Sequence, residues 1–379
     1  MDENYILEKI ESCVDCKSCM EVCDTYNVTQ DELQSPNGRL KIAHKICNNE
    51  KISEVELRSI YTCTLCSLCN LHCTQSIEIS EIIHSSKIKL VEQDKAPLEI
   101  HNKIIKGIIE KDNSVNGNPA ERLDWIPAEY RNQERFEKGT SDTLLYLGCM
   151  SSFRVKKSAS ASYELLRKAN YDFMILEKEP CCGEYVYSAG DLKLAKKLFN
   201  DNFKRFKKLG IKNLVVTCGG CLYAFNEVYP KYVKGWDINV RHIVQVIYEL
   251  FQKGKLNFKK LNKEVIYHDA CRTGRKLKLI EIYKEPRELL AHTSENLKEL
   301  SKNREETSCC GAGSGIRGVD SSITIKIGKT ILDEAKTEDI ISSCPLCVFN
   351  YRYVAYKTQS DKVIKYITDY LLEALENNI

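Results

Sequence analysis

From Thr143 onward the chain alternates short apolar runs with longer amphipathic stretches. "TLLYLGC" is a strand-length apolar run ending at Cys149, and "SASASYELLRKANY" after it has helical spacing. "DFMILEKEPCCG", a helical "DLKLAKKLFNDNFKRFKKLG" and "IKNLVVTCGGC" continue the alternation. Short strands separated by helices predict a parallel sheet in an α/β layer structure. The pattern then recurs. "EVIYHDAC" ends a strand at Cys271, "TSCCG" supplies adjacent cysteines, and "EDIISSCPLC" ends a strand at Cys344. Residues 143–260 and 261–379 thus predict two copies of one unit. The closing "DKVIKYITDYLLEALENN" reads as an amphipathic helix with Val363, Ile364, Ile367, Leu371 and Leu375 on one face.

Upstream the texture differs. Residues 81–110 carry apolar positions at helical spacing. Residues 111–142 are polar and broken by Asn, Gly and Pro, which predicts a linker pinned by Trp125. The expected fold class is α + α/β: a helical domain over 1–110, the linker over 111–142, and duplicated α/β domains over 143–260 and 261–379.

The length of 379 residues suits two or three domains. A net charge of +3, with 29% charged residues, argues against a nucleic-acid partner. The N-terminus "MDENYILEKIESCVDC" is acidic and lacks an apolar signal region. No stretch approaches the ~20 apolar residues that span a bilayer. The expectation is a soluble, cytoplasmic chain that meets a membrane only through a partner. Its 19 cysteines are clustered and odd in number, which in a reducing compartment points to metal.

Cys13, Cys16, Cys19 and Cys23 form a C-x2-C-x2-C-x3-C run, and Cys63, Cys66, Cys69 and Cys73 repeat it. This is the run of two-cluster ferredoxins. A tight loop aims three thiolates at one cubane, and the fourth cysteine points to the other. The spacing assigns Cys13, Cys16, Cys19 and Cys73 to one 4Fe-4S cluster and Cys63, Cys66, Cys69 and Cys23 to a second. Structural zinc, the alternative, uses two ligand pairs rather than this repeated run. Two departures stand out: Asp24 and Thr74 follow the fourth cysteines where proline is usual, and 39 residues separate Cys23 from Cys63. Helices are expected in that gap. Cys47 stands apart and reads as a small buried hydrophobe.

Each α/β copy holds five more cysteines: one after a strand, an adjacent pair, then C-x-x-C. Five thiolates exceed a mononuclear zinc site. In a polynuclear cluster, adjacent cysteines can take different irons, or one can bridge two. Gly183, Gly219, Gly220, Gly311 and Gly313 suit close backbone approach to such a cluster.

The spacings, with 31 and 35 intervening residues in the first copy and 37 and 33 in the second, resemble the two cysteine-rich CCG domains of heterodisulfide reductase. With the two-cluster run on the same chain, the arrangement is similar to the family's fused iron–sulfur chain, the D type. "SPNGRLKIA", "RLDWIP" and "HDACRTGR" resemble stretches of the wider family, which includes iron–sulfur subunits of glycolate and lactate oxidases.

The resemblance implies Rossmann-like α/β domains, each holding a non-cubane 4Fe-4S cluster. One would use Cys149, Cys181, Cys182, Cys218 and Cys221, the other Cys271, Cys309, Cys310, Cys344 and Cys347. It implies an oxidoreductase that reduces a disulfide between the two clusters, with the heterodisulfide of coenzymes M and B as the family substrate. Electrons would come from a flavoprotein, a membrane cytochrome b or a hydrogenase-linked complex. The alternative is an electron-transfer subunit of an FAD-linked lactate or glycolate oxidase. A sensor or assembly factor without turnover is the third reading.

Arg272 stands where the family often has His. It reads either as a holder of an anionic substrate group or as a structural arginine. His268 reads as a proton donor to the thiolate product or as a structural histidine. "GAGSGIRG" lacks the context of a dinucleotide loop, and neither NAD nor flavin is expected on this chain.

Overall fold

The computed structural model describes residues 3–131 and 140–376. The N-terminal part is helical. Helices Asp24–Thr29, Pro36–Cys47 and Glu54–Tyr61 occupy the gap between the two cysteine runs, and Ile79–Glu92 and Glu99–Lys111 follow. Their ends are specified locally. Ser35 accepts from the Gly38 amide with Pro36 in the first turn, and Ser53 and Glu56 form a capping box. Their apolar faces make a core distinct from the rest of the molecule.

Among the described residues, seven parallel strands form two sheets: β1 (Thr143–Tyr146), β2 (Asn213–Val216), β3 (Asn239–His242), β4 (Leu261–His268), β5 (Ser294–Glu299), β6 (Asp339–Ser342) and β7 (Val363–Tyr366). The first sheet runs β1-β2-β3 and the second β5-β4-β6-β7. A parallel bridge from Leu144 to Met174 stands where β5 stands in the second sheet, so the two halves share one order. Every residue of β1 and β6 is buried, as parallel strands covered on both faces require. The halves share one continuous core. Tyr366 Oη, at the end of β7, donates to Thr217 O beyond β2 at 2.6 Å.

Two expectations change. The closing segment is not one helix: Val363–Tyr366 is strand β7, the helix covers Ile367–Ala374, and Leu375 bridges to Phe258. Ile364 and Tyr366 are buried while Val363 is exposed, the alternation of an edge strand, and pairing with β6 outweighs the helical spacing. The 111–142 segment is more than a linker. Trp125 and Ile126 are buried in the α/β core, with Trp125 edge-on to Tyr163 at 5.5 Å. Residues 132–139 of that segment lie outside the described residues. Among the described residues no helix is long and apolar enough to cross a membrane.

Candidate metal centres

The two N-terminal cysteine loops share an unusual backbone. Asp15 and Lys17 in the first, and Leu65 and Ser67 at the matching places in the second, all have positive φ between 52° and 64°. Left-handed turns by non-glycine residues cost energy, and paired at the same offsets they bring three nearby thiols to one side of a tight loop. Cys13, Cys16, Cys19 and Cys73 line one cavity. Cys23, Cys63, Cys66 and Cys69 line another. Each cavity thus takes three thiols from one run and the fourth from the other.

Burial, and then the Cys73, Cys13, Cys16 and Cys23 sulfurs, push the Cys19 thiol up to about 12. Thiols this crowded ionise together only against a strong cation, which cluster iron would supply. Cys16 is exposed, and the Thr74 hydroxyl 3.4 Å from its sulfur pulls it down to about 7. Asp24 accepts from the Cys309 amide at 2.7 Å. Both departures from proline therefore make contacts proline could not. Cys47 packs in the helical core.

Four of the ten later cysteines lie just past strand ends. Cys149 lies just beyond β1, Cys218 beyond β2, Cys271 beyond β4 and Cys344 beyond β6. The carboxyl ends of parallel strands are where open α/β sheets bind their ligands. Cys182 and Cys221 sulfurs are 3.5 Å apart, and Cys221 meets Cys218. Cys218 meets Cys344 across the two halves. Cys344 meets Cys347, which meets Cys310. Cys309 meets Cys271, Cys310 and, from the N-terminal loops, Cys66. Sulfur contacts thus run unbroken from Cys66 to Cys182. Cys149 lies off this run, its sulfur 3.2 Å from the Ser114 hydroxyl. Among the described residues no three His, Cys, Asp or Glu side chains converge as a single-ion site.

The donor set fits iron–sulfur clusters. It is thiol-rich, and glycines leave room beside the sulfurs: a Cβ at Gly148 would stand 3.1 Å from Cys221 Sγ, and one at Gly220 3.6 Å from Cys218 Sγ. Glu179, in "EPCCG", accepts from the Leu147 and Gly148 amides at 2.9 and 2.8 Å and pairs with Arg122 at 3.2 Å. It ties the cysteine pair to the Cys149 turn, and spacing alone gives no sign of it. Asn202 and Asn350 donate to the Cys181 and Cys310 carbonyls.

Arg272 is buried and paired with Glu184 at 2.5 Å, its guanidinium 5.4 Å from the Tyr223 ring centroid. Its charge is therefore already answered within the protein. His268 is buried, Nε2 at 3.2 Å from Ser308 O and Nδ1 without a partner, edge-on to Tyr351. Lys87 is wholly buried, donates to Ser314 Oγ at 2.8 Å and lies over the Tyr61 ring at 5.0 Å. Burial pulls it down to about 8, and the Cys63 sulfur is the largest influence the other way. Arg39, equally buried, donates among the described residues only to Ser59 O, Thr25 Oγ1, Gln34 Oε1 and Thr62 Oγ1.

Comparison with known proteins agrees with this geometry. A 4Fe-4S dicluster domain matches residues 9–77, and a cysteine-rich domain matches residues 143–226 and again 265–352. The chain is 26% identical to the D chain of the dihydromethanophenazine:CoB–CoM heterodisulfide reductase of Methanosarcina barkeri, over 97% of this chain and 95% of that protein. It is 27% identical to the EtfAB:quinone oxidoreductase of Syntrophomonas wolfei, over 89% of this chain and 54% of that protein. It is 24% identical to the B chain of the fumarate reductase (CoM/CoB) of Methanothermobacter marburgensis, over 90% and 67%. The class is an iron–sulfur protein with a dicluster domain ahead of a duplicated cysteine-rich domain. Within it, the chain is similar along nearly its whole length to the D-type iron–sulfur chains of heterodisulfide reductase.

Proposed function

We propose that this chain is the iron–sulfur subunit of a disulfide reductase. Cys13, Cys16, Cys19 and Cys73 hold one cubane, and Cys63, Cys66, Cys69 and Cys23 the other. Cys149, Cys181, Cys182, Cys218 and Cys221 hold one non-cubane cluster, and Cys271, Cys309, Cys310, Cys344 and Cys347 the second. When bound, the clusters supply single-electron steps and iron that takes up sulfur. In balance, one disulfide, two electrons and two protons give two thiols, with the electrons drawn from a partner protein. The heterodisulfide of coenzymes M and B is the substrate this reading favours.

The observation that carries it is the contact of Cys218 with Cys344, where the two five-cysteine sets meet. Two complete sets facing each other suit a substrate with two sulfurs better than a linear relay. The Arg272–Glu184 pair lies beside this meeting point: a Cβ on Gly220 would stand 3.6 Å from Arg272 Nη1 and 3.8 Å from Glu184 Oε2. The same pair lines a small cavity with Lys276 and Tyr223. A wider cavity of about 430 Å³ shares Lys276 and Tyr223 and adds Lys231 and Lys278 at its wall. Glu78, Glu81 and Glu227 line the same wall, so its charge is mixed, and it offers a disulfide an approach from outside. His268, the last residue of β4 ahead of Cys271 of the second set, is the proposed proton donor.

Anaerobic purification, an iron count and EPR of the oxidised chain with and without coenzyme M test this. About 16 irons per chain and a new thiol-induced signal are expected. About eight irons with no such signal would exclude the disulfide chemistry.

A further inference from the structure

The two cubane sites proposed above differ in the charge built around them. Three cations surround the Cys23, Cys63, Cys66 and Cys69 cavity. Arg39 lines it and is buried, with its hydrogen bonds going to neutral oxygens. Lys87 is wholly buried and bonded to a serine hydroxyl. Arg275 is half-buried, donates to the Cys66, Glu305 and Thr307 carbonyls, and keeps Nη2 buried without a partner. Among the described residues, none of the three has a carboxylate within ion-pair distance. Unpaired buried cations are expensive, and a fold keeps them where an anion is expected.

Among the described residues, the Cys13, Cys16, Cys19 and Cys73 cavity has no such surroundings. The charges on its loop are Lys17 and Asp15, both exposed and screened by water. Asp15 is turned to Asn37 at 2.9 Å.

A cluster gains negative charge when reduced, so nearby fixed cations favour its reduced form. Burial alone acts in the opposite sense, and so does Asp24, the one carboxyl on the cavity wall. Three cations without an ion-pair partner among the described residues outnumber the single carboxyl on the wall. We infer that Arg39, Lys87 and Arg275 are the counter-charges of the second cubane and set its midpoint potential above that of the solvent-facing first cubane. Electrons entering at the exposed Cys16 side would then run downhill toward the cubane whose Cys66 touches Cys309 of the second cysteine-rich half.

This rests on the iron–sulfur reading, and one redox titration separates the two. The anaerobic, cluster-loaded full chain is titrated by EPR, with iron counted in each preparation. Two cubane signals are expected, the lower one shifted by Cys16→Ser and the higher one by Lys87→Met. Lys87→Met should lower the higher midpoint by at least a tenfold change in the reduced-to-oxidised ratio, about 59 mV for one electron. Cys16→Ser moving the higher wave in the wild-type background would overturn the order whether or not Lys87→Met loads iron. A loaded Lys87→Met with an unmoved wave would overturn the role of the lysine. Absence of cubane signals from the wild type would instead remove the iron–sulfur reading beneath both.

Discussion

Gly183 and Gly311, the glycines of the two Cys-Cys-Gly triplets, have φ of +77° and +83°. Each turns the chain immediately after an adjacent cysteine pair, into a space already filled. A Cβ at Gly183 would stand 2.8 Å from the Phe199 ring, and one at Gly311 3.1 Å from Ile327. The triplet is therefore a backbone device as well as a ligand device: the pair presents two thiols, and the glycine lets the chain leave. Gly183→Ala meets both obstacles. The left-handed conformation costs about 1–2 kcal/mol and the repacking about 1–3 kcal/mol. Thermal unfolding should show a loss of about 2–5 kcal/mol, with iron falling by about four per chain if the first set empties. A variant with wild-type melting temperature and iron content would refute this account of the glycine.

At the scale of elements, the helix Ile79–Glu92 is the seam on which the helical domain meets both α/β halves. It sends Glu81 to Lys276 at 2.8 Å, His84 Nε2 to Tyr187 O at 2.7 Å, and Lys87 to Ser314. Lys276 holds the Glu81 carboxyl down to about 2; burial pulls Lys276 itself down, and Tyr223 and then Glu81 outweigh it and raise the lysine. Lys276→Gln leaves that carboxylate partly buried and unpaired. Since Glu81 keeps 28% of its side chain in water, a loss of about 1–3 kcal/mol is expected rather than the cost of a fully buried pair. A double-mutant cycle with Glu81→Gln should give a coupling of about 1 kcal/mol or more; additivity within about 0.3 kcal/mol would mean the bridge is idle. The sequence conveys the ends of this seam but not the seam. Cysteine spacing is legible because a chelating loop is local, and strands ending in Cys149, Cys218, Cys271 and Cys344 announce themselves by buried apolar runs. β7 does not: "VIKY" mimics a helical turn until β6 lies beside it. Nor do Asp24, Glu179, Arg39 or Lys87, whose roles depend on partners far away in the chain, such as Ser314 for Lys87. The contacts of Cys66 with Cys309 and of Cys218 with Cys344 are likewise tertiary facts that no local spacing encodes.

Across the whole molecule, three buried histidines sit where these units join. His84 reaches Tyr187, His101 Nδ1 meets Tyr185 Oη at 2.8 Å, and His242 Nε2 meets Thr217 O at 3.2 Å near the Cys344 side. Burial, the largest influence in each case, lowers them to about 4, about 3 and about 4. The folded chain thus keeps all three neutral at a pH where the unfolded chain protonates them, near the ordinary value of about 6.5. The sign follows. Above about 6.5 neither state binds these protons and stability is flat in pH. As pH falls through that value the unfolded state takes up protons that the folded state refuses, and stability is lost until the folded values near 3 to 4 are reached. Each refused proton is worth about 1.4 kcal/mol per pH unit, so the three together give a slope of up to about 4 kcal/mol per unit. Urea unfolding of the loaded chain, followed by intrinsic fluorescence between pH 7.5 and 5.5, should show stability level at first and then falling with acid. Acid loss of clusters would contribute equally to every variant, so the slope difference isolates the histidines: His84→Gln, His101→Gln and His242→Gln should each flatten the fall by about one proton's worth. Variants that keep the full wild-type slope would show that the joints do not titrate and that acid acts through other groups.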